Sequence, residues 1–115
     1  MASNFYVVHH HFKPGKAAAW WDTAMSAMSD EAAWSAAVAA NVDAGFYNHS
    51  FNPVAAEGPV FCVWEAREGI TEAQFQDFID GPNGPNMGLS AFNNNCYLVN
   101  LELTGGQTPY PPKFS

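Results

Sequence analysis

The sequence predicts an α+β domain in which helices cover one face of a four-stranded sheet. Three observations lead there. The chain has 115 residues, the length of one ordinary domain. β-branched and aromatic runs bounded by turn residues mark four strands, and apolar spacings of three and four mark helices between them. These runs follow the order β-α-(α)-β-β-α-β, which two right-handed crossovers fold into a single sheet.

Asn4 to Phe12 is β-branched and aromatic with histidines and reads as the first strand. Lys13-Pro14-Gly15 stops it, and Pro14 suits the entry to a helix. From Lys16 onward, Ala17, Trp20, Trp21, Ala24, Met25 and Met28 make one helical face. Ser29-Asp30 interrupts that run and can cap a second helix. This helix carries Trp34, Ala37 and Val38, ends near Val42 and finds its glycine stop in Asp43-Ala44-Gly45. Gly45 to Phe51 is a second strand, followed by a loop between Asn52-Pro53 and Glu57-Gly58-Pro59. Val60 to Ala66 is the third strand, almost wholly apolar, as expected when both sheet faces are covered.

The third helix has the clearest start. Thr71-Glu72-Ala73-Gln74 fits a capping box, with Ile70 and Phe75 as its hydrophobic staple. Phe75, Phe78 and Ile79 form the buried stripe, and Asp80-Gly81-Pro82 ends it. Asn83 to Asn95 reads as loop, with a turn of helix near Leu89 to Phe92, and Cys96 to Leu103 as the fourth strand. The domain therefore spans residues 1–104. Residues 105–115, with three prolines and two glycines, read as an irregular tail.

Composition narrows the partners. Apolar residues make up 48% of the chain, aromatic residues 15%, and charged residues only 13%, roughly half of ordinary usage. Much of this surface is not built to face water, and self-association is its simplest outlet. The formal charge of −7 argues against nucleic acid and against anionic membranes, both of which call for clustered Lys and Arg. No apolar stretch approaches the ~20 residues of a membrane span. Cys62 and Cys96 lie in separate strand-like runs without metal spacing and read as buried free thiols. Met1-Ala2-Ser3-Asn4 leads straight into a strand with no signal peptide in view. Together these features imply a cytoplasmic or other reducing compartment.

The element order is that of the ferredoxin-like βαββαβ sandwich, its first crossover carrying a split helix. The sheet face without helices would be bare in a monomer. Both residue sets of strands one and three are largely apolar, so the open face is expected to meet a second copy. Phe12-Lys13-Pro14-Gly15-Lys16 after strand one, and Val60 to Ala66 followed by a capped helix, resemble the dimeric α/β-barrel superfamily over about residues 5 to 103. The resemblance implies that two subunits close their sheets into one barrel. The superfamily's cofactor-independent monooxygenases carry Glu-x-Trp on strand three and a His in the next helix. Here Cys62-Val63-Trp64 and Phe75 and Phe78 stand in those places. Locally, Phe61-Cys62-Val63-Trp64-Glu65-Ala66 and Asn95-Cys96-Tyr97-Leu98-Val99 are most similar to its small nickel-binding branch, whose helix histidines this chain lacks.

The run His9-His10-His11 carries the candidate chemistry. Strand alternation sends His9 and His11 to one face with Phe5 and Val7, and His10 to the other with Val8 and Phe12. The helix side must accept large apolar groups, which places His10 under the helices and His9 and His11 in the barrel. Two imidazoles at i, i+2 can share nickel, zinc or copper, with Glu65 or His49 as added ligands. His49 among Phe46, Tyr47 and Phe51 can act as a general base beside an apolar ligand. Glu65 can pair with Arg67, or handle protons opposite His9 or His11. Trp20 and Trp21 cannot point the same way, so one of them reaches a cavity or a partner.

The expected function is binding of a small, mainly apolar or aromatic molecule in a barrel cavity of a homodimer or higher assembly. The catalytic candidates are His9, His11, His49 and Glu65; the ligand contacts are Tyr47, Asn48, Phe51, Trp64 and Trp20. The reading needs no cofactor, and it leaves open whether histidine acid–base chemistry makes the protein an enzyme. The alternatives are a transition-metal-binding protein, with His9 and His11 as ligands, and a non-catalytic assembly module.

Overall fold

The computed structural model describes residues 2–114. Its elements are β1 (Asn4–Phe12), α1 (Ala17–Ser29), α2 (Glu31–Ala44), β2 (Phe46–Pro53), β3 (Val60–Ala66), α3 (Glu72–Asp80) and β4 (Phe92–Leu98). The strands form one antiparallel sheet in the order β2-β3-β1-β4, compatible with the expected ferredoxin-like sandwich.

Local chemistry sets most boundaries. Asp30 caps α2 by accepting from the Ala33 amide at 3.1 Å. Gly45 ends α2 at φ 102°, where a Cβ would meet Ile70 Cδ1 at 2.6 Å. The capping box of α3 is complete: Thr71 Oγ1 accepts from the Gln74 amide at 3.1 Å, and Gln74 Oε1 from the Thr71 amide at 2.9 Å.

The fourth strand departs from expectation. It runs Phe92–Leu98, not Cys96 to Leu103, and the segment before it forms turns without a helical one. Asn93, Asn94 and Asn95 pair with His11, His10 and His9 of β1. Asparagine has poor strand propensity, and pairing with a distant strand overrides it here. Residues 101–106 fold back in turns.

Register sends Tyr6, Val8, His10 and Phe12 of β1, and Val60, Cys62, Trp64 and Ala66 of β3, to the helix side. The core concentrates under α3, where Tyr6 stacks on Phe75 at 3.9 Å and Phe46 on Phe78 at 4.0 Å between ring centroids. The other two helices contribute less than their stripes suggested. Of α1 only Trp20 and Ala24 are buried, and Met25 is 62% exposed. No residue of α2 is buried, and Trp34 is 38% exposed. An alanine-rich helix has little side chain with which to close on a sheet, so α2 stands off.

The face of the sheet away from the helices is partly covered by the tail, which is irregular as expected but anchored. The amides of Lys113 and Phe114 donate to Glu65 Oε1 and Oε2 at 2.8 and 3.1 Å. Tyr110 stacks on His49 at 5.0 Å, and Lys113 Nζ lies 5.0 Å from the Tyr47 ring centroid. Val7, Phe61 and Tyr97 remain exposed on this face beside His9 and His11. Among the described residues no helix is long and apolar enough to cross a membrane.

Candidate functional site

Because α1 and α2 stand off the sheet, a cavity of about 860 Å³ opens between them and the strands. That lies within the ~300–1,000 Å³ typical of small-molecule sites. Its floor is the helix side of the sheet: His10, Asn48, Phe51, Val60, Cys62 and Trp64. Trp20, Thr23 and Ala27 of α1 form one wall, and Trp34, Ala37, Val38 and Asn41 of α2 another. Pro85 and Met87 close one end, with Trp20 Nε1 donating to the Pro85 carbonyl at 2.7 Å. Among the described residues that line it, none is Lys, Arg, Asp or Glu.

On three residues that line it, His10 Nε2, Asn48 Oδ1 and Trp64 Nε1 are buried with no hydrogen-bond partner of ordinary geometry among the described residues. Asn48 and Trp64 are cross-strand neighbours and form one polar pole. His10 forms the other, with Nδ1 bonded to Asn94 Oδ1. Burial, foremost, pulls the His10 pKa below its ordinary value, so the ring is neutral near neutral pH. Burial pushes the Cys62 thiol up to about 11, which leaves it protonated and a poor nucleophile.

The remaining candidates divide across the sheet. Asn48, Phe51, Trp64 and Trp20 line the cavity. Tyr47 and His49 border it along β2, where the register shifts between Asn48 and Ser50. The His49 ring, however, is held on the opposite face: Nε2 meets Glu65 Oε1 at 2.7 Å. Glu65 is fully buried and accepts from Ser3, His49 and the two tail amides. Burial alone would raise its carboxyl, but these donors, the Lys113 amide foremost, outweigh it and hold the pKa below the ordinary value.

Glu65 is therefore paired neither with Arg67 nor with His9 or His11. The Arg67 guanidinium donates instead to the carbonyls of Val42 and Asp43, at 2.9 and 3.3 Å, satisfying the exposed end of α2. His9 and His11 lie on the open face, ring centroids 3.7 Å apart, with His9 stacked on Phe61 at 4.6 Å. Among the described residues no group of three or more His, Cys, Asp or Glu is placed to hold a metal ion around them. Cys62 and Cys96 are free thiols.

His10, like Thr23, Trp34 and Asn41, is a cavity residue that sequence reasoning did not assign to a site. Alternation places it under the helices, and the register agrees. The signal that could have found it is the run Asn93-Asn94-Asn95, which pairs residue for residue with the histidine run.

The family model described as a domain of unknown function, DUF8652, matches residues 5–107 of this chain. No curated protein and no solved structure matches it.

Proposed function

We propose that this chain, which belongs to the DUF8652 family, binds a small, mainly apolar or aromatic molecule between its sheet and helices α1 and α2. One observation carries the reading: the cavity of about 860 Å³ is walled mainly by aromatic and aliphatic side chains and, among the described residues, by no Lys, Arg, Asp or Glu. Aromatic walls suit an aromatic body, and a lining without charged side chains suits an uncharged one.

The same reading keeps the dimeric barrel as its assembly. Val7, Phe61 and Tyr97 leave an apolar patch on the open face, and a second copy is the partner that the low charge content favours.

Binding is tested by titrating the protein with 1-naphthol and following tryptophan fluorescence, since Trp20, Trp34 and Trp64 all line the cavity. The expected result is saturable quenching. Ala37→Trp, which fills the space from the α2 wall, should abolish it with the circular dichroism unchanged. His9→Ala, across the sheet, should leave it intact. Absence of saturation at millimolar 1-naphthol, or an Ala37→Trp variant that binds as well as wild type, would overturn the reading.

A further inference from the structure

We propose that the surface around Glu65, across the sheet from the cavity, is a peptide-recognition site. Its occupant is the segment Tyr110-Pro111-Pro112-Lys113-Phe114, supplied in cis by the chain's own tail and, between molecules, by the tail of a second copy.

Strand register builds the surface. Glu65 pairs with Phe5 of β1 on one side and with Tyr47 of β2 on the other, and cross-strand partners share a face. His49 completes it, its ring centroid 5.5 Å from that of Phe5 and 4.8 Å from that of Tyr47. The result is one carboxylate set among aromatic rings. A carboxylate only accepts, and both of its oxygens take main-chain N–H groups of the tail. Lys113 donates to Oε1 at 2.8 Å and Phe114 to Oε2 at 3.1 Å. Such charge-assisted bonds are about twice as strong as neutral ones. They read backbone alone, so they reject proline at either position.

Side chains supply the choice among peptides. Tyr110 stacks on His49 with centroids 5.0 Å apart and planes 7° from parallel. Lys113 Nζ lies 5.0 Å from the Tyr47 centroid, and Arg67 Cζ lies 5.2 Å from the Phe114 centroid. The site therefore selects an aromatic residue, two spacers, a cation and a second aromatic residue. Pro111 and Pro112 are the spacers. Their rings hold φ at about −65°, so the segment loses little freedom on docking. Thr108 Oγ1 donates to the Tyr110 carbonyl at 2.8 Å and stiffens the approach.

The tether lets the occupant change. The Val99 amide donates to the Phe5 carbonyl at 2.9 Å and ties the chain to β1 ahead of the turns at 101–106. Gly105 and Gly106 follow at φ 68° and 88°. Among the described residues, the hydrogen bonds of Gln107 and Thr108 run only to Thr104 and Tyr110. The bonds that hold the tail to the sheet thus lie beyond a glycine pair. A short tether of this kind sets the cis occupant at an effective concentration of about millimolar. An identical segment from a second molecule makes the same contacts once the resident one leaves.

Two measurements on the full chain test this. ¹⁵N relaxation should show residues 110–114 of the wild type as ordered as the sheet. Lys113→Pro, which deletes one amide donor, should make them mobile on the nanosecond scale with the circular dichroism unchanged. Phe114→Pro, which deletes the other, should do the same, whereas Lys113→Ala, which keeps the amide, should leave them ordered. In parallel, a labelled synthetic peptide of residues 107–114 stands in for the tail of a second copy. It should bind the Lys113→Pro protein saturably and the wild type roughly tenfold more weakly, because the wild-type tail competes in cis. The same peptide carrying Lys113→Pro should not bind. A mobile tail in the wild type overturns the proposal, and so does a tail that stays ordered in both proline variants. A Lys113→Ala tail as mobile as the Lys113→Pro one overturns the reading of backbone by Glu65. No peptide binding to the Lys113→Pro protein at millimolar concentration overturns recognition of a second copy.

Discussion

Glu65 keeps its charge in the middle of an apolar strand because every lone pair it turns inward meets a donor. A carboxylate held this way is a stability device with a pH signature. Its folded pKa lies below the ordinary value of 4.5. A depressed carboxyl adds stability above its unfolded pKa and loses it as falling pH protonates the folded group. Urea melts from about pH 7 to about pH 3 should therefore show stability dropping once pH falls below the mid-fours, and Glu65→Gln should flatten that drop. Near neutral pH, Glu65→Gln should cost about 1–3 kcal/mol and Glu65→Ala about 3–5 kcal/mol, since Ala strands the donors. A Glu65→Gln variant with the wild-type acid slope would show that the charge is not what the donors serve. The sequence announced a buried carboxylate here, because Glu65 follows Trp64 in a strand with two apolar faces. It could not announce the partners. Ser3, His49, Lys113 and Phe114 lie 16 to 62 residues away, and no local rule links them to Glu65.

At the scale of elements, what was legible depended on the distance over which each signal acts. The capping box of α3 closes within four residues, so Thr71 and Gln74 declare it outright. Thr71→Ala should cost about 1 kcal/mol in denaturant melts, within the usual range for a lost cap. Gly45→Ala should cost more than that. It forces a side chain into φ 102° and drives its Cβ to within 2.6 Å of Ile70. A Gly45→Ala protein as stable as wild type would mean that α2 and the Arg67–Ile70 turn can shift to make room. The start of β4 was illegible because Asn93 to Asn95 carry turn chemistry, and only the facing histidines of β1 make them a strand. The cavity was illegible for a related reason. The period of Trp34, Ala37 and Val38 shows which face of α2 turns inward. It does not show how close that face comes to the sheet.

On the scale of the molecule, the two sheet faces divide the labour. One holds the core and the cavity; the other carries the docked tail and an apolar patch. If that patch is the contact between copies, Phe61→Glu should turn a dimer into a monomer in sedimentation at micromolar concentration and leave 1-naphthol binding intact. A wild-type protein that sediments as a folded monomer would remove the assembly reading without touching the cavity. The docked tail has a topological consequence as well. Ser3 and Phe114 donate to the same oxygen, Glu65 Oε2. Two donors on one oxygen lie within about 6 Å of each other. A loop of a few glycines could therefore splice residue 114 to residue 3 without disturbing either bond. New ends could then be cut in the exposed turn at Ala55-Ala56-Glu57. In such a circular permutant the Glu65 clasp would lie inside a continuous chain, and the order of strands along the sequence would change while their order in the sheet did not.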